Sequence, residues 1–182
     1  MKQGVILSNP KFDITIKRLC RQLIENHNDF SDSVLIGLQP RGIYLSKRIQ
    51  EELQRQLPKK KIQSGTLDVT FFRDDFRRND KLLLANATNI DFIIENKKVI
   101  LIDDVLFTGR TIRAGLDAML AFGRPSKVEL LVLIDRRYTR QLPIEPDYIG
   151  LQIDSIDSEN VVVKWKESEG TDEVRVFESK TK

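Results

Sequence analysis

The sequence predicts an α/β fold with a mostly parallel sheet covered by helices on both faces. Three observations carry this. Strand-like and helix-like segments alternate along the chain. The clearest strand candidates, VILI at residues 99–102 and VELLVLI at 128–134, are near-continuous apolar runs, as strands buried on both faces require. The 182 residues suffice for one domain with a sizeable core.

The elements follow in order. In residues 14–27, Ile16, Leu19, Cys20, Leu23, Ile24 and His27 recur at helical spacing, with Lys17, Arg18 and Arg21 on the opposite face. A strand at Val34–Leu38 runs into a turn at Pro40-Arg41-Gly42, and a helix over 43–57 ends before Pro58. GTLDVTFFR, residues 65–73, reads as a strand, with Val69, Phe71 and Phe72 suited either to the core or to a subunit interface. Residues 74–91 are polar and broken, the pattern of a mobile loop or arm. A strand at 97–102, a helix at 111–122 closed by Gly123, and strands at 127–134 and 147–153 complete the alternation. The tail, 161–177, contains VVVKW and EVRVF, two alternating segments that suit a hairpin.

Composition narrows the function classes. No apolar run approaches the roughly 18 residues that cross a bilayer, and MKQGVILSNPKFD lacks the apolar stretch of a signal peptide. One cysteine, Cys20, cannot form an internal disulfide, and with His27 the single histidine a Cys/His zinc site is implausible. A reducing, cytoplasmic location is the default expectation. Net charge is +3 but uneven: residues 1–61 carry 12 Lys/Arg against 6 Asp/Glu, residues 154–182 carry 5 against 8. The basic first third suits phosphates or nucleic acid, or equally a solvated surface.

The chemistry concentrates in VILIDDVLFTGRTIRAG, residues 99–115. An apolar strand leads into Asp103-Asp104, then Val105-Leu106-Phe107, then Thr108-Gly109-Arg110-Thr111 and a helix. Adjacent carboxylates on extended backbone point to opposite sides. They suit two vicinal hydroxyls, or a metal and a hydroxyl, better than one shared proton. Gly109 lets the backbone approach a ligand. Unpaired N–H groups at the helix start, with the hydroxyls of Thr108 and Thr111, make a phosphate cradle. Each residue alone reads as a strand end or a helix cap; together they describe a sugar-phosphate site beyond the carboxyl end of a parallel strand. The rival phosphate motifs fail. Gly37 and Gly42 have P-loop spacing, but Ile43 and Tyr44 replace the Lys and Ser/Thr, and no G-x-G-x-x-G follows a strand.

VILIDDVLFTGRT resembles the 5-phosphoribosyl-1-pyrophosphate (PRPP) motif of type I phosphoribosyltransferases. IGLQPRGIYLSKRI, LDVTFFRDDF, GRPSKVELLVLIDRR and LPIEPDYIG resemble the PyrR family, regulators of the pyrimidine operon that also have uracil phosphoribosyltransferase activity. The likeness runs from about residue 4 to 165. It implies one domain, residues 1–182, with a five-stranded parallel core over about 14–150, a small hood from the N- and C-terminal segments, and a mobile arm over about 73–91. It implies that Asp103 and Asp104 hold the ribose hydroxyls, that Val105 to Thr111 bind the 5′-phosphate, and that Pro40, Arg41 and Gly42 form the pyrophosphate loop. Pro40 stands where the family commonly has Thr, and proline favours a cis bond at Gln39–Pro40 rather than at Pro40–Arg41. Arg41 suits the departing diphosphate. Mg²⁺ is implied as cofactor, held mainly by the substrate, with Asp103 and Asp104 as protein ligands. Arg73 and Arg77, with Arg78, suit a loop closing over the diphosphate, or a solvated or subunit-contacting arm. The base falls near Ile134, Asp135, Arg136 and Arg137, read by backbone groups, with Asp135 suited equally to capping its turn.

The implied reaction makes UMP and pyrophosphate from uracil and PRPP. The family also implies a homodimer or homotetramer and a messenger-RNA leader as partner, with Lys17, Arg18 and Arg21 as the basic RNA face. Two departures bear on RNA. The family's Asp-Arg-Gly-His-Arg-Glu-Leu-Pro is here Asp135 to Pro143, one residue longer and without the His. Leu151-Gln152-Ile153-Asp154 replaces Lys-Asn-Ile-Pro, losing a cation where phosphate contacts dominate affinity. The alternatives are an RNA-binding attenuator with minor catalysis and a phosphoribosyltransferase for a purine base.

Overall fold

The structure is a computed structural model that describes residues 4–73 and 86–178. Its elements are β1 (Gly4–Ser8), α1 (Lys11–His27), β2 (Ser33–Leu38), α2 (Gly42–Gln56), β3 (Ser64–Leu67), β4 (Lys98–Leu106), α3 (Arg110–Met119), β5 (Lys127–Arg137), β6 (Tyr148–Asp154), β7 (Glu159–Lys164), α4 (Lys166–Glu169) and β8 (Glu173–Glu178). A five-stranded sheet has the order β3-β2-β4-β5-β6, and every pairing in it is parallel. A second, three-stranded antiparallel sheet, β1-β8-β7, joins the two ends of the chain.

Two cores sandwich the parallel sheet, and β4 contributes to both by alternation. Ile100 and Ile102 face the core shared with α1, α2 and the small sheet. Val99 and Leu101 face the core shared with α3. Removing these side chains from water stabilises each by about 1.5–3 kcal/mol. Among the described residues no helix is long and apolar enough to cross a membrane.

Several boundaries differ from the sequence reading, each for a local reason. The strand expected over 65–73 stops at Leu67, because the Asp68 carboxylate accepts bonds from the Thr70 backbone N–H (2.9 Å) and Thr70 Oγ1 (2.6 Å) and turns the chain into a 3₁₀ turn at Thr70–Phe72. Val69 is core; Phe71 and Phe72 are exposed. The strand expected to end at residue 102 continues to Leu106, because its ladder with β5 runs on to Asp135. The acids therefore stand inside the sheet. β5 likewise extends to Arg137 by pairing with β6. Helix α3 ends at Met119 and tightens into a 3₁₀ turn before Gly123. β1, which the sequence reading missed, pairs with β8; the tail hairpin is present as β7–β8. Of the expected arm, residues 74–85 lie outside the described residues. Asn89 is tied to Thr66 by paired backbone bonds of 2.8 and 2.9 Å, so the segment's far end is anchored to β3.

Candidate active site

The site lies at the carboxyl ends of β2, β4 and β5. Asp103 and Asp104 diverge from the last turns of β4. Asp103 lines a cavity of about 500 Å³ together with Arg73 and residues 105–112. Asp104 turns the other way and accepts a bond from Arg41 Nε at 3.2 Å. Both are nearly covered, at 7% and 6% exposure, and burial pushes both carboxyls above the usual range. For Asp103 the neighbouring Asp104 charge adds to the rise, and Arg73 opposes it. For Asp104 the opposition comes from Arg41.

The cradle takes its shape from Gly109, which precedes α3 at φ 91°, a left-handed conformation suited to glycine. The first N–H groups of α3 open toward the cavity with Thr108 and Thr111 along its wall. The loop is held from outside: the Thr108 carbonyl accepts the N–H groups of Gln141 (3.0 Å) and Leu142 (3.2 Å). Arg110 reaches away to Gln141 at 2.9 Å.

Across the cleft, Gln39–Pro40 is cis, and Arg41-Gly42 opens α2. Gly42 packs directly on β4; a Cβ there would meet the Ile102 carbonyl and come within 2.9 Å of the Asp103 Cα. Only glycine lets α2 approach so closely, and that approach sets Arg41 beside Asp104. Arg41 also donates to Glu169 at 3.1 Å and to the Val163 carbonyl. The small sheet thus reaches down to the same arginine.

The residues expected around the base divide. Ile134 is fully buried core. The Asp135 carboxylate is occupied by Arg140 and by Gln152 Nε2 at 2.8 Å. Arg136 turns into the connection between β6 and β7, donating to Ser155 Oγ (2.7 Å) and the carbonyls of Ile156 (3.0 Å) and Glu159 (2.9 Å), with its guanidinium 3.9 Å from the Phe107 ring centroid. Arg137 pairs with Asp154. The side chains of Arg136 and Arg137 are therefore structural clamps, and only backbone groups of this segment remain for a base. Tyr138, in the segment that is one residue longer, is exposed and takes φ 66°.

Arg73 lines the cavity; Arg77 and Arg78 lie outside the described residues. Lys17, Arg18 and Arg21 are exposed on α1, but Arg18 donates to the carbonyls of Ile149 (3.0 Å) and Gly150 (2.5 Å) on the edge strand β6. Lys17 shares its groove with Asp13, Glu51 and Glu52, so its surroundings are of mixed charge. His27 is far from this chemistry: it bridges Ser33 (2.9 Å) and Glu129 (2.8 Å) at the opposite end of the sheet. Three residues near the site escaped the sequence reading. Arg140 links Asp135 to the Phe107 carbonyl, and Glu169 and Trp165 descend from the C-terminal segment. No spacing pattern marks any of the three.

Geometry and fold together define a phosphoribosyltransferase. The phosphoribosyl transferase domain family matches residues 2–168. A solved hypoxanthine phosphoribosyltransferase from Trypanosoma cruzi superposes with a TM-score of 0.73 at 14% identity, covering 98% of each chain, which speaks for the fold alone. Among curated proteins, the "Bifunctional protein PyrR" of Desulfosudis oleivorans is 40% identical over 96% of both chains. That of Bacillus subtilis is 40% identical over 98% of both. The chain belongs to the PyrR family.

Proposed function

We propose that this protein transfers the phosphoribosyl group of PRPP to uracil, giving UMP and pyrophosphate. The observation that carries the reading is the acidic pair at the end of β4, of which Asp103 lines a cavity whose far wall is the N-terminus of α3 while Asp104 faces Arg41. In this reading the carboxylates accept the ribose 2′ and 3′ hydroxyls, and the N–H groups and hydroxyls of Thr108–Thr111 hold the 5′-phosphate. The C1–diphosphate bond breaks with its electron pair leaving on the diphosphate, positive charge grows on the sugar, and uracil N1 bonds to C1 from the other side as its proton is given up to solvent. Catalysis is positioning plus electrostatics. The acids stabilise the cationic sugar, and Arg41 leaves Asp104 to meet the diphosphate. Backbone groups of 134–137 read the base.

Mg²⁺ fits as an ion that arrives with the substrate. Among the described residues no three His, Cys, Asp or Glu side chains converge as a cage, while Mg²⁺ is commonly held by one or two carboxylates plus substrate oxygens. Asp103 and Asp104 are the carboxylates available. Neutralising charge on the departing diphosphate is the chemistry Mg²⁺ supplies when bound.

RNA regulation in response to uridine nucleotides is the second part of the reading, supported by the word "bifunctional" in the relatives' names. Its proposed face is Lys17, Arg18 and Arg21, and its partner a messenger-RNA leader. A homodimer or homotetramer in the cytoplasm completes the reading; the exposed Phe71 and Phe72 suit a subunit contact. A panel of bases with Mg²⁺-PRPP tests the activity. Radiolabelled uracil is expected to yield UMP, while turnover confined to hypoxanthine or guanine would overturn the base assignment. A gel shift against the leader of its own pyrimidine operon, unchanged by Lys17→Ala with Arg18→Ala, would remove the RNA face.

A further inference from the structure

In the ligand-free protein all three guanidinium nitrogens of Arg41 are engaged. Nε donates to Asp104 at 3.2 Å, Nη1 to Glu169 Oε1 at 3.1 Å, and Nη2 to the Val163 carbonyl. Two of the three acceptors belong to the C-terminal segment, Val163 on β7 and Glu169 on α4. A guanidinium is a rigid planar fork, so swinging it to a ligand breaks these bonds together.

Glu169 is aimed at Arg41 by its own surroundings. Its other oxygen, Oε2, accepts the Trp165 backbone N–H at 2.9 Å and the Ser168 hydroxyl. Arg48 fastens this short helix to α2. It donates to Glu167 (3.0 and 2.7 Å) and to Asp172 (2.6 Å), and its guanidinium lies 5.1 Å from the Trp165 ring centroid. Gly170, at φ 77°, turns the chain so that Asp172 comes back to the Lys166 N–H at 2.9 Å. The two ion pairs differ in exposure. At the fastening the Arg48 and Asp172 side chains are 16% and 7% exposed, whereas Arg41 and Glu169 are 38% and 31% exposed. The first pair is shut away; the second is open to solvent and to an incoming anion. When Arg41 leaves, the Glu169 carboxylate keeps both of its local donors, and water takes the place of the guanidinium.

We propose that Glu169 is a positioning residue for Arg41, a latch that holds the guanidinium on the C-terminal segment until a diphosphate displaces it; this rests on the reading that Arg41 receives the diphosphate. The step exchanges one anion for another at the same cation and makes or breaks no covalent bond. Glu169 therefore weakens the binding of ligands that carry a diphosphate and leaves a ligand without one untouched. The strength of a partly exposed ion pair sets the size of the effect, about two- to fivefold in Kd.

Calorimetry on the intact protein with Mg²⁺-PRPP, Mg²⁺-pyrophosphate and ribose 5-phosphate tests this. In Glu169→Gln the amide oxygen still accepts the Trp165 N–H, while the amide NH₂ faces Arg41 and cannot hold it. The variant is expected to bind the two diphosphate ligands about two- to fivefold more tightly and ribose 5-phosphate as the wild type does. Glu169→Asp keeps the charge but withdraws it by one methylene, and is expected to tighten the same two ligands about twofold. Unchanged or weaker binding of both diphosphate ligands in a folded Glu169→Gln overturns the latch. So does tightening in Glu169→Gln without any in Glu169→Asp, which marks a diffuse charge effect. An equal change for ribose 5-phosphate overturns it as well, because it marks a general effect of the C-terminal segment. The wild type and Arg41→Gln separate the two claims. No heat from the wild type with Mg²⁺-PRPP, or undiminished PRPP binding in Arg41→Gln, defeats the diphosphate reading and the latch with it. Binding that needs Arg41 but does not move in either Glu169 variant defeats the latch alone.

Discussion

Replacing Gly42 by alanine sets two effects of opposite sign against each other. Gly42 opens α2, and alanine in a helix is ordinarily favoured over glycine by about 1 kcal/mol. Here the new Cβ would meet the Ile102 carbonyl and stand 2.9 Å from the Asp103 Cα and 3.1 Å from Asp103 Oδ1. Two of those atoms belong to the backbone of a central strand, which cannot yield as a flexible side chain can. Overpacking of this kind costs about 1–3 kcal/mol and occasionally more. Because the contacts fall on backbone, the cost lies at the upper end, about 2–3 kcal/mol, leaving a net loss of about 1–2 kcal/mol, and Gly42→Ala is expected to lower the melting temperature by roughly 2–8 °C in a chain of this size. The shift must also push the start of α2, and Arg41 with it, away from β4. KM for PRPP is then expected to rise at least roughly tenfold, since misplacement by an ångström is enough to disrupt a positioned site. Calorimetric melting and initial-rate kinetics read the two effects. Gly4→Ala is the control: nothing lies within 4 Å of its added Cβ, and it should be close to neutral. A Gly42→Ala protein as stable as the wild type would refute the claim that close approach of α2 to β4 requires glycine.

Two further predictions come from groups whose ionisation burial perturbs. Asp103 has a folded-state pKa raised above its unfolded value, so its contribution to stability of the ligand-free protein is fully present at low pH and falls as pH rises from the unfolded toward the folded value. Asp103→Asn, which keeps an acceptor for the Asp104 N–H (now bonded at 2.9 Å), is expected to melt higher than wild type at neutral pH while losing PRPP binding; a lower melting temperature at neutral pH would contradict it. The Cys20 thiol is pushed up to about 12 by burial, with Arg55 opposing only weakly. It should resist a disulfide-exchange reagent at pH 8 in the folded protein and react promptly in denaturant, and rapid reaction in the native state would show the α1 packing to be open.

How far the sequence speaks depends on the range of the interaction. Helical spacing in residues 14–27 and the apolar run at 99–102 concern neighbours within a turn or a strand, and both elements are where the pattern puts them. The Asp-Asp and Thr-Gly elements of 103–111 are local too, and the divergence of the two acids follows from strand geometry alone. The side-chain partners of Arg136 and Arg137 were not legible for the opposite reason. Nothing within their own segment reveals that Ser155, Glu159 and Asp154 will sit opposite, because β6 and the turn beyond it meet them only through the sheet. The ends of β4 and β5 ran long because parallel pairing supplied partners that residue preference does not encode.

The chain's order of residues thus determined by itself the alternating α/β plan, the Thr-Gly loop before α3 and the two carboxylates at its edge, since each is written in contiguous residues. Tertiary structure decided what those carboxylates face. Arg41 reaches Asp104 because Gly42 lets α2 lie on β4, and Glu169 meets Arg41 from 128 residues along the chain because the C-terminal hairpin pairs with β1. The physical reason is that periodicity and turn chemistry act between near neighbours, whereas the partner of a buried charge is whichever group close packing brings within about 3 Å.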